Sequence, residues 1–275
     1  RHAGADAKRG GGARDTGHPQ GGGSETYLQR IGTHLAQSGV RVTLRTARYP
    51  GPARREVVDG VEIHPRGGPY SLYVLARLAY GRRAIVLVHH CHREQWPVAG
   101  PVKSRIGWFV ESRLSPRLHR RNQYVTVSLP SARDPTDLGV RADHVAVVRN
   151  GVDDAPAASL TAPRSVTPRV VVLSRLVPHK QIEDALDAVA RLRDRIPGLH
   201  LDVVGGGWWA QPLFDHAEEL GISDAVTFHG HVDDATKHEL LQHSWVNVLP
   251  SRKEGWGLAV IEAANPEAEA LAIAV

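Results

Sequence analysis

The sequence predicts an α/β protein with two domains, each built on a doubly wound parallel sheet with helices on both faces. Three observations favour this fold class. Short runs rich in Val, Ile and Leu alternate with amphipathic helical stretches along most of the chain. A segment rich in Pro, Ala and Ser at 154–168 interrupts this alternation, which then starts again, so we interpret the segment as a linker. At 275 residues, the chain is long enough for two modest hydrophobic cores.

The first half of the chain predicts a domain over 15–153. Residues 1–14 are rich in glycine and charge without an apolar period, so we expect a disordered or foreign leader there. Ser24 suits the N-cap of a first amphipathic helix. The further predicted elements are strands at 40–47, 61–65, 84–90, 124–128 and 145–153, and helices at 71–80 and 103–121.

The second half repeats the alternation and predicts a domain over 169–275. Its predicted elements are strand 169–175, helix 183–195, strand 199–207, helix 212–220, strand 225–230, helix 235–244, strand 245–251 and a helix that follows Glu254. The carboxyl ends of parallel strands meet at one edge of a sheet, and open α/β sheets bind ligands there. Side chains in the loops after these strands are therefore the candidate site residues.

Composition narrows the location and the partners. Cys91 is the only cysteine, so no internal disulfide can form, and we expect a reducing, cytoplasmic location. The apolar runs are too short to span a bilayer. A net charge of +5 favours anionic partners: nucleotides, anionic lipid surfaces or nucleic acid. We expect no nucleic-acid partner, because the basic residues are not interleaved with aromatics and the sequence contains no nucleic-acid-binding motif.

The segment EGWGLAVIEAA at 254–264 is the most informative motif, with the pattern of a strand end, a glycine turn and a helix. A helix start offers unpaired backbone N–H groups and partial positive charge, which suit a pyrophosphate. Gly255 and Gly257 let the backbone approach such an anion. Glu254 on the turn and Glu262 about two helical turns further on can each accept hydroxyl hydrogen bonds. A sugar nucleotide has hydroxyls at both ends of its diphosphate and fits this arrangement.

Two cations follow the first strand of the second half. Arg175 and Lys180, in the segment SRLVPHK, can hold a diphosphate and stabilise its charge as it leaves. The alternative is a solvated loop, where Arg and Lys are common. The run Gly205–Gly207 either permits close approach to a ligand or forms a tight turn. The loop at FHGHV, 228–232, can use backbone groups to recognise a base.

The segments SRLVPHK, DVVGGG, FHGHV and EGWGLAVIEA together resemble the retaining family-4 glycosyltransferases, which have the GT-B fold. HPQGGGSE at 18–25 is similar to that family's glycine loop, and VVRNGVD at 147–153 to its inter-domain segment. The resemblance covers roughly residues 15–264 and implies two Rossmann-like domains that face a cleft. It also implies transfer of a sugar from a nucleotide-diphosphate-sugar donor to a carbohydrate, lipid-linked or small-molecule acceptor, with retention of anomeric configuration.

The resemblance further implies roles for individual residues. The implied catalytic residues are His90, Arg175, Lys180 and Glu254. The implied donor-binding residues are Gly22, Gly23, Val232, Gly257, Leu258, Ala259 and Glu262. In this scheme the two cations bind the diphosphate, Glu254 binds the donor sugar, Glu262 holds the ribose, and His90 lies beside the transferred sugar. Because the cations and the helix start meet the charge of the departing diphosphate, we expect no metal and no other cofactor.

Two further segments, 89–94 and 111–124, gather residues that can bind metal ions or anions. The run HHCHRE at 89–94 is a weak metal candidate, because adjacent residues at a strand end point in different directions. The segment 111–124 gathers Arg113, Arg117, Arg120 and Arg121. It is either a solvated basic helix or a patch for peripheral contact with the anionic inner face of a membrane.

Three places depart from a complete member of the resembled family. No apolar first strand precedes Asp15, only residues 81–83 separate a helix from the next strand, and the family continues after 264 with further strands and a helix. We interpret these departures as omitted segments or as a truncated copy. The alternative function is therefore a catalytically impaired module that binds a sugar nucleotide or a membrane surface. A sugar phosphorylase is a third interpretation.

Overall fold

The structure, a computed structural model, describes residues 8–11, 23–46, 55–65, 85–89, 91, 93, 96, 100–151, 163–263 and 269–272. The chain divides into two compact units, Arg1–Asn150 and Gly151–Val275. The predicted helix at 71–80 lies outside the described residues, and so does most of the predicted linker. Among the described residues, no helix is both long and apolar enough to cross a bilayer.

The first unit contains a four-stranded sheet with the order β1-β2-β4-β3. Its strands are β1 (Lys8–Gly11), β2 (Val42–Thr46), β3 (Glu56–Val58) and β4 (Val61–Pro65). The pairs β1/β2 and β2/β4 are parallel, whereas β3 and β4 form an antiparallel hairpin whose turn residues, Asp59 and Gly60, have positive φ. Helix α1 (Gly23–Gln37) packs Leu35 and Ala36 on the buried residues of β2 and β4.

A second, three-stranded parallel sheet in this unit has the order β5-β6-β7. Its strands are β5 (Ile85–Val88), β6 (Gln123–Thr126) and β7 (Val145–Val147). Between β5 and β6, helix α2 (Pro101–Phe109) continues through a π-helical turn, Val110–Leu114, into α3 (Ser115–Leu118). Helix α4 (Leu129–Asp137) connects β6 to β7. Since both connections lead to the start of a parallel strand, the C-terminal ends of α3 and α4 lie where β6 and β7 begin.

Three features of the first unit differ from the sequence analysis. Residues 1–14 are expected to form a disordered or foreign leader, whereas Lys8–Gly11 within this stretch form β1, which pairs with β2. A strand pairs through backbone groups, so glycine and charge do not prevent pairing at a sheet edge. Strand β3 and helix α4 are not predicted, because β3 has three residues and α4 contains Pro130 and Pro135. Pro130 is tolerated in the first turn, where the missing N–H has no helical partner.

The second unit is one parallel five-stranded sheet with the order β10-β9-β8-β11-β12. Its strands are β8 (Arg169–Leu173), β9 (His200–Val204), β10 (Val226–Gly230), β11 (Val246–Leu249) and β12 (Glu269–Ala272). Its helices are α5 (Ile182–Leu192), α6 (Ala210–Glu219), α7 (Asp234–His243) and α8 (Leu258–Ala263). This order confirms the predicted doubly wound class, although β12 is an additional strand. The sheet order reverses between β8 and β11, and the crevice at such a reversal is the usual ligand site.

The core of the second unit lies between the sheet and its helices. Helix α5 buries Ile182, Ala185, Leu186 and Val189, which are spaced i, i+3, i+4 and i+7 and therefore share one helical face. They pack with the buried residues of β8 and β9 in one continuous cluster. This packing fixes the strands whose carboxyl ends carry the candidate site.

Asp233 caps helix α7 and makes the stability of the second unit dependent on pH. Its carboxylate accepts a 2.8 Å hydrogen bond from the Thr236 backbone N–H, and hydrogen bonds from the backbone and side chain of Thr236 hold the pKa of Asp233 below its ordinary value of 3.8. A depressed folded-state pKa contributes stability above the unfolded-state pKa and loses it as the pH falls through the folded-state value. We expect Asp233→Ala to lower the urea midpoint of the second unit at pH 7, with a smaller difference from wild type below about pH 4. Urea titrations at both pH values test this, and an equal difference at both would contradict it.

Candidate functional site

Two loops meet at the reversal point of the second sheet. The loop after β8 contains a single 3₁₀ turn, Pro178–Lys180, and the loop after β11 runs from Pro250 to Gly257. The Arg252 backbone N–H donates a 3.1 Å hydrogen bond to the His179 carbonyl oxygen and joins them. The structure thus brings the predicted cation loop and the predicted carboxylate loop into direct contact.

Lys180 and Glu254 form an ion pair across these loops, with the Lys180 Nζ donating to Glu254 Oε1. Their side chains are only 14% and 23% exposed. A partly buried pair is less screened by salt than an exposed one. Lysine carries three N–H donors and a carboxylate two acceptor oxygens, so each partner keeps hydrogen-bonding capacity for a ligand.

Arg175 lies just beyond β8 and is exposed. Its guanidinium group forms no ion pair with any other residue in the described part of the chain. The two predicted cations therefore differ in their ion pairing. Lys180 has a carboxylate partner, whereas Arg175 can still pair with an anionic ligand. This arrangement fits an anionic ligand that enters from the Arg175 side of the loop.

The glycine run after β9 supports the Arg175 loop through its backbone. Gly205 has φ +130°, and a Cβ placed there would lie 1.9 Å from the Ser174 carbonyl oxygen. A Cβ at Gly207 would lie 2.0 Å from the Leu176 carbonyl oxygen, whereas a Cβ at Gly206 would meet no atom within 4 Å. The Leu176 N–H donates a 3.0 Å bond to the Gly206 carbonyl oxygen. Gly205 and Gly207 therefore allow the backbone of this run to pack closely against the backbone of the Arg175 loop.

Helix α8 begins at the predicted anion-binding turn. Gly257 has φ +74° and precedes the first helical residue, Leu258. The backbone N–H groups of Leu258 and Ala259 have no acceptor within the described parts of the chain, as expected for the first two amides of a helix. The side chain of Asn247, which is 2% exposed, donates a 3.0 Å bond to the Ala259 carbonyl oxygen and anchors the helix to β11.

Glu262 is paired with a lysine that the sequence analysis missed. The Lys237 Nζ on α7 lies 3.3 Å from Glu262 Oε1 and 2.9 Å from Asp234 Oδ1. Burial alone would lower the pKa of Lys237, but the hydrogen bond to Asp234 and the charges of both carboxylates raise it above its ordinary value. Lys237 therefore stays protonated, and Glu262 Oε2 is the oxygen left for a ligand.

Two buried hydroxyl groups near the same sheet edge were also missed. Ser174 follows β8, and Ser251 follows β11 and is fully buried. Neither hydroxyl oxygen has a hydrogen-bond partner within the described ranges. Serine in a strand-end loop is too common for its sequence to mark a site, so only the fold reveals this pair.

The FHGHV loop is held by internal contacts. His229 Nε2 lies 2.8 Å from Oδ1 of Asp202, and the other oxygen of that buried carboxylate accepts a 2.6 Å bond from Arg169. Val232 is half-buried and packs against a small core cluster that includes Val171 and Val204. The side chain of Val232 thus packs in the core. The predicted contact with a base stays a prediction, and it would be made by the backbone of Val232.

Three predicted site residues, His90, Gly22 and Gly23, belong to the first unit. His90 and Gly22 lie outside the described residues, and Gly23 is the first residue of α1. Across the residues that the structure does describe, no group of three or more His, Cys, Asp or Glu side chains could hold a metal ion.

Lys237→Gln tests the positioning of Glu262. We expect roughly two- to fivefold weaker binding of a nucleoside diphosphate, because the variant frees the carboxylate to rotate away from its ligand-facing position. Lys237→Arg, which keeps the charge, is the matched control. Calorimetric titrations with UDP, GDP and ADP give the readout. Equal affinity for wild type and Lys237→Gln would contradict the role of Lys237.

Comparison with known proteins agrees with the fold. Residues 162–268 match the family Glycosyl transferases group 1. The chain is 33% identical over 232 residues to the GDP-mannose-dependent alpha-(1-6)-phosphatidylinositol monomannoside mannosyltransferase of Mycobacterium tuberculosis, covering 78% of this chain and 58% of that protein. It is 32% identical over 169 residues to the glycogen synthase of the same organism, covering 58% of this chain and 40% of the relative. The chain thus spans about two-fifths to three-fifths of these relatives.

Solved structures extend the agreement in fold. Sucrose-phosphate synthase from Thermosynechococcus elongatus superposes with a TM-score of 0.73 at 19% identity, covering 96% of this chain and 80% of the other. The chain therefore has the GT-B fold, and its candidate site lies at the reversal point of the second sheet. The match to the glycosyl transferases group 1 lies within the second unit of the chain.

Proposed function

We propose that this protein transfers a sugar from a nucleotide-diphosphate-sugar donor to an acceptor with retention of anomeric configuration. The observation that carries the proposal is the Lys180–Glu254 ion pair at the sheet reversal, with Arg175 exposed beside it. One carboxylate and two cations on touching loops suit a ligand that presents hydroxyls next to a diphosphate. The relative that acts on GDP-mannose supports this class of donor.

In the proposed complex, the donor diphosphate binds between the cations and the start of α8. Lys180 keeps one N–H on Glu254 and directs another to a phosphate oxygen, while Arg175 offers a planar pair of donors. The free amides of Leu258 and Ala259 add backbone donors to the same anion. Charge on the phosphate grows as the bond to the sugar breaks, so these groups stabilise the transition state more than the bound donor, and the reaction needs no metal.

The two glutamates position the ends of the donor. Glu254 Oε2 accepts a hydroxyl of the transferred sugar while its Oε1 stays on Lys180. Glu262 Oε2 accepts the ribose hydroxyls while its Oε1 stays on Lys237. In both cases one carboxylate oxygen is held by a lysine, so the other is oriented before the donor binds, which reduces the cost of ordering on binding.

Retention of configuration follows if the acceptor attacks from the face that the diphosphate leaves. The departing phosphate oxygen then takes the proton of the acceptor hydroxyl, the new glycosidic bond forms, and the bond to the phosphate breaks on the same side. The resemblance assigns His90 to the surroundings of that sugar. Under this proposal the acceptor is a carbohydrate, a lipid-linked molecule or a small molecule, and the reaction takes place in the cytoplasm.

A donor screen followed by product analysis tests the proposal. We expect one of UDP-glucose, GDP-mannose or ADP-glucose to raise the melting temperature of the chain, because a ligand that binds only the folded state stabilises it by mass action. Incubation with that donor should release nucleoside diphosphate and sugar, and proton NMR of the first product should show the anomeric configuration of the donor. Binding without turnover would support the non-catalytic module instead. Inverted product would overturn the retaining mechanism.

A further inference from the structure

A basic pocket lies in the first unit, outside the site described above. Its cavity of about 460 Å³ is lined by helix residues on both sides of the π-helical turn and by the end of α4. This volume is within the usual range for small-molecule sites. We call it the arginine pocket, and its lining includes Trp108, Arg113, Arg117, Arg120, Asp137 and Leu138.

The three arginines line one cavity although they lie in different local structures. Arg113 belongs to the π-helical turn, Arg117 to α3 and Arg120 to the turn that follows α3. All three are exposed. Like charges that line one cavity repel each other. A ligand that neutralises them would therefore also relieve repulsion within the protein.

These guanidinium groups have no carboxylate partner in the described residues. No ion pair joins any of them to Asp137, the acidic side chain of the lining. Arg117 donates a 3.0 Å hydrogen bond to the Arg113 carbonyl oxygen, which fixes one end of its guanidinium and leaves the rest of its donors available. Elsewhere in the chain arginines do pair with acids, as the exposed Arg141 does with Asp143 and the half-buried Arg193 with Asp224.

The apolar wall of the pocket limits the kind of ligand. Trp108 lies on one side with Arg93 stacked over its ring at 5.7 Å, and Pro116 and Leu138 add apolar surface. An aromatic face beside several guanidinium groups suits a phosphate attached to an organic body more than a free inorganic ion. The pocket lies at the end of the sheet where β6 and β7 begin, opposite to the carboxyl ends of these strands.

We propose that the arginine pocket binds a phosphate group carried by an organic molecule, either a soluble phosphomonoester or the headgroup of an anionic lipid. Arginine forms paired N–H···O bonds with phosphate oxygens, and two or three converging guanidinium groups match the charge of one phosphate. The residues of the arginine pocket and those of the proposed donor site belong to different units of the chain. Binding at this pocket remains testable if the chain proves to have no transferase activity.

Arginine footprinting on the full wild-type chain tests this proposal. Phenylglyoxal modifies accessible guanidinium groups, and peptide mass spectrometry reports each arginine separately. The probes are glucose 6-phosphate, vesicles of phosphatidylcholine, and vesicles of phosphatidylcholine with phosphatidylglycerol. We expect at least about threefold slower modification of Arg113, Arg117 and Arg120 with a bound phosphate. Arg105, Arg121 and Arg133 are the internal controls, because they are exposed in the same unit and do not line the pocket.

The pattern of protection decides the outcome. Selective protection by glucose 6-phosphate supports a soluble ligand, and selective protection only by the anionic vesicles supports a lipid headgroup. Equal protection of the pocket and control arginines would indicate general charge screening and would overturn the proposal. The absence of protection by every probe would also overturn it. As a second measurement, the triple variant with Arg113, Arg117 and Arg120 changed to Gln should bind the protecting probe at least about tenfold more weakly than the matched triple variant of the control arginines.

Discussion

Lys180→Ala should lower kcat/KM for donor turnover by about 100- to 1000-fold, the usual loss when one group that stabilises transition-state charge is removed. The variant removes a cation from the proposed diphosphate site and also leaves Glu254, which is 23% exposed, without its ion-pair partner. Both effects disfavour an anionic donor. Initial-rate measurements of nucleoside diphosphate release at several donor concentrations give kcat and KM separately, and we expect the larger change in kcat.

Two further variants separate the two effects of Lys180→Ala. Glu254→Gln keeps the shape of the side chain but loses its charge, and the double variant completes a cycle that measures the coupling between the partners. Lys103→Ala is the matched control, because Lys103 is an exposed lysine in the other unit. If Lys180→Ala and Glu254→Gln both turn over donor at the wild-type rate, the ion pair is not part of a catalytic site.

Gly205→Ala should destabilise the second unit by at least about 2 kcal/mol and abolish donor binding. The new Cβ would lie 1.9 Å from the Ser174 carbonyl oxygen, at a φ of +130° that alanine rarely adopts. Because the clash is with backbone, no side chain can rotate to relieve it. The loop that carries Arg175 must therefore move. Thermal unfolding and calorimetric titration with a nucleoside diphosphate measure the two effects.

Gly206→Ala is the control for this prediction, since it adds the same methyl group one position away with no atom within 4 Å. We expect its melting temperature and nucleotide affinity to stay close to wild type. A Gly205→Ala variant as stable as Gly206→Ala would show that the two loops are not in the contact that the structure gives them. A stable Gly205→Ala variant with normal nucleotide binding would rule out the supporting role of this glycine.

The sequence predicts the second unit well because its signals are local. Apolar strands and a helix such as α5 repeat with periods that can be counted in the sequence. Elements without such periods are missed, as β3 shows with its three residues. Strand β1 is missed for another reason, because its pairing depends on the backbone rather than on apolar side chains.

Part of the candidate site can be predicted from the sequence, because the order of strands and loops can be read from it. Arg175, Lys180 and Glu254 follow strands, so their meeting at one sheet edge is a consequence of topology. Lys237 could not be predicted, because its contact with Glu262 depends on how helices α7 and α8 are rotated about their axes. Periodicity indicates which helical face is apolar, but it does not indicate which polar residues of two helices touch. The role of Gly205 likewise depends on a contact distant in sequence, the Ser174 carbonyl oxygen beside it.

The Lys180–Glu254 ion pair also bears on how fast a donor arrives. Within the described residues its two charges cancel at a distance, so the field that reaches into solvent at this crevice comes from exposed cations such as Arg175 and Arg252. Exposed charges steer association and lose that effect as ionic strength rises, whereas partly buried charges act after contact. Diffusional encounter with the donor should therefore depend on Arg175 and Arg252 and on salt, and residence time should depend on Lys180.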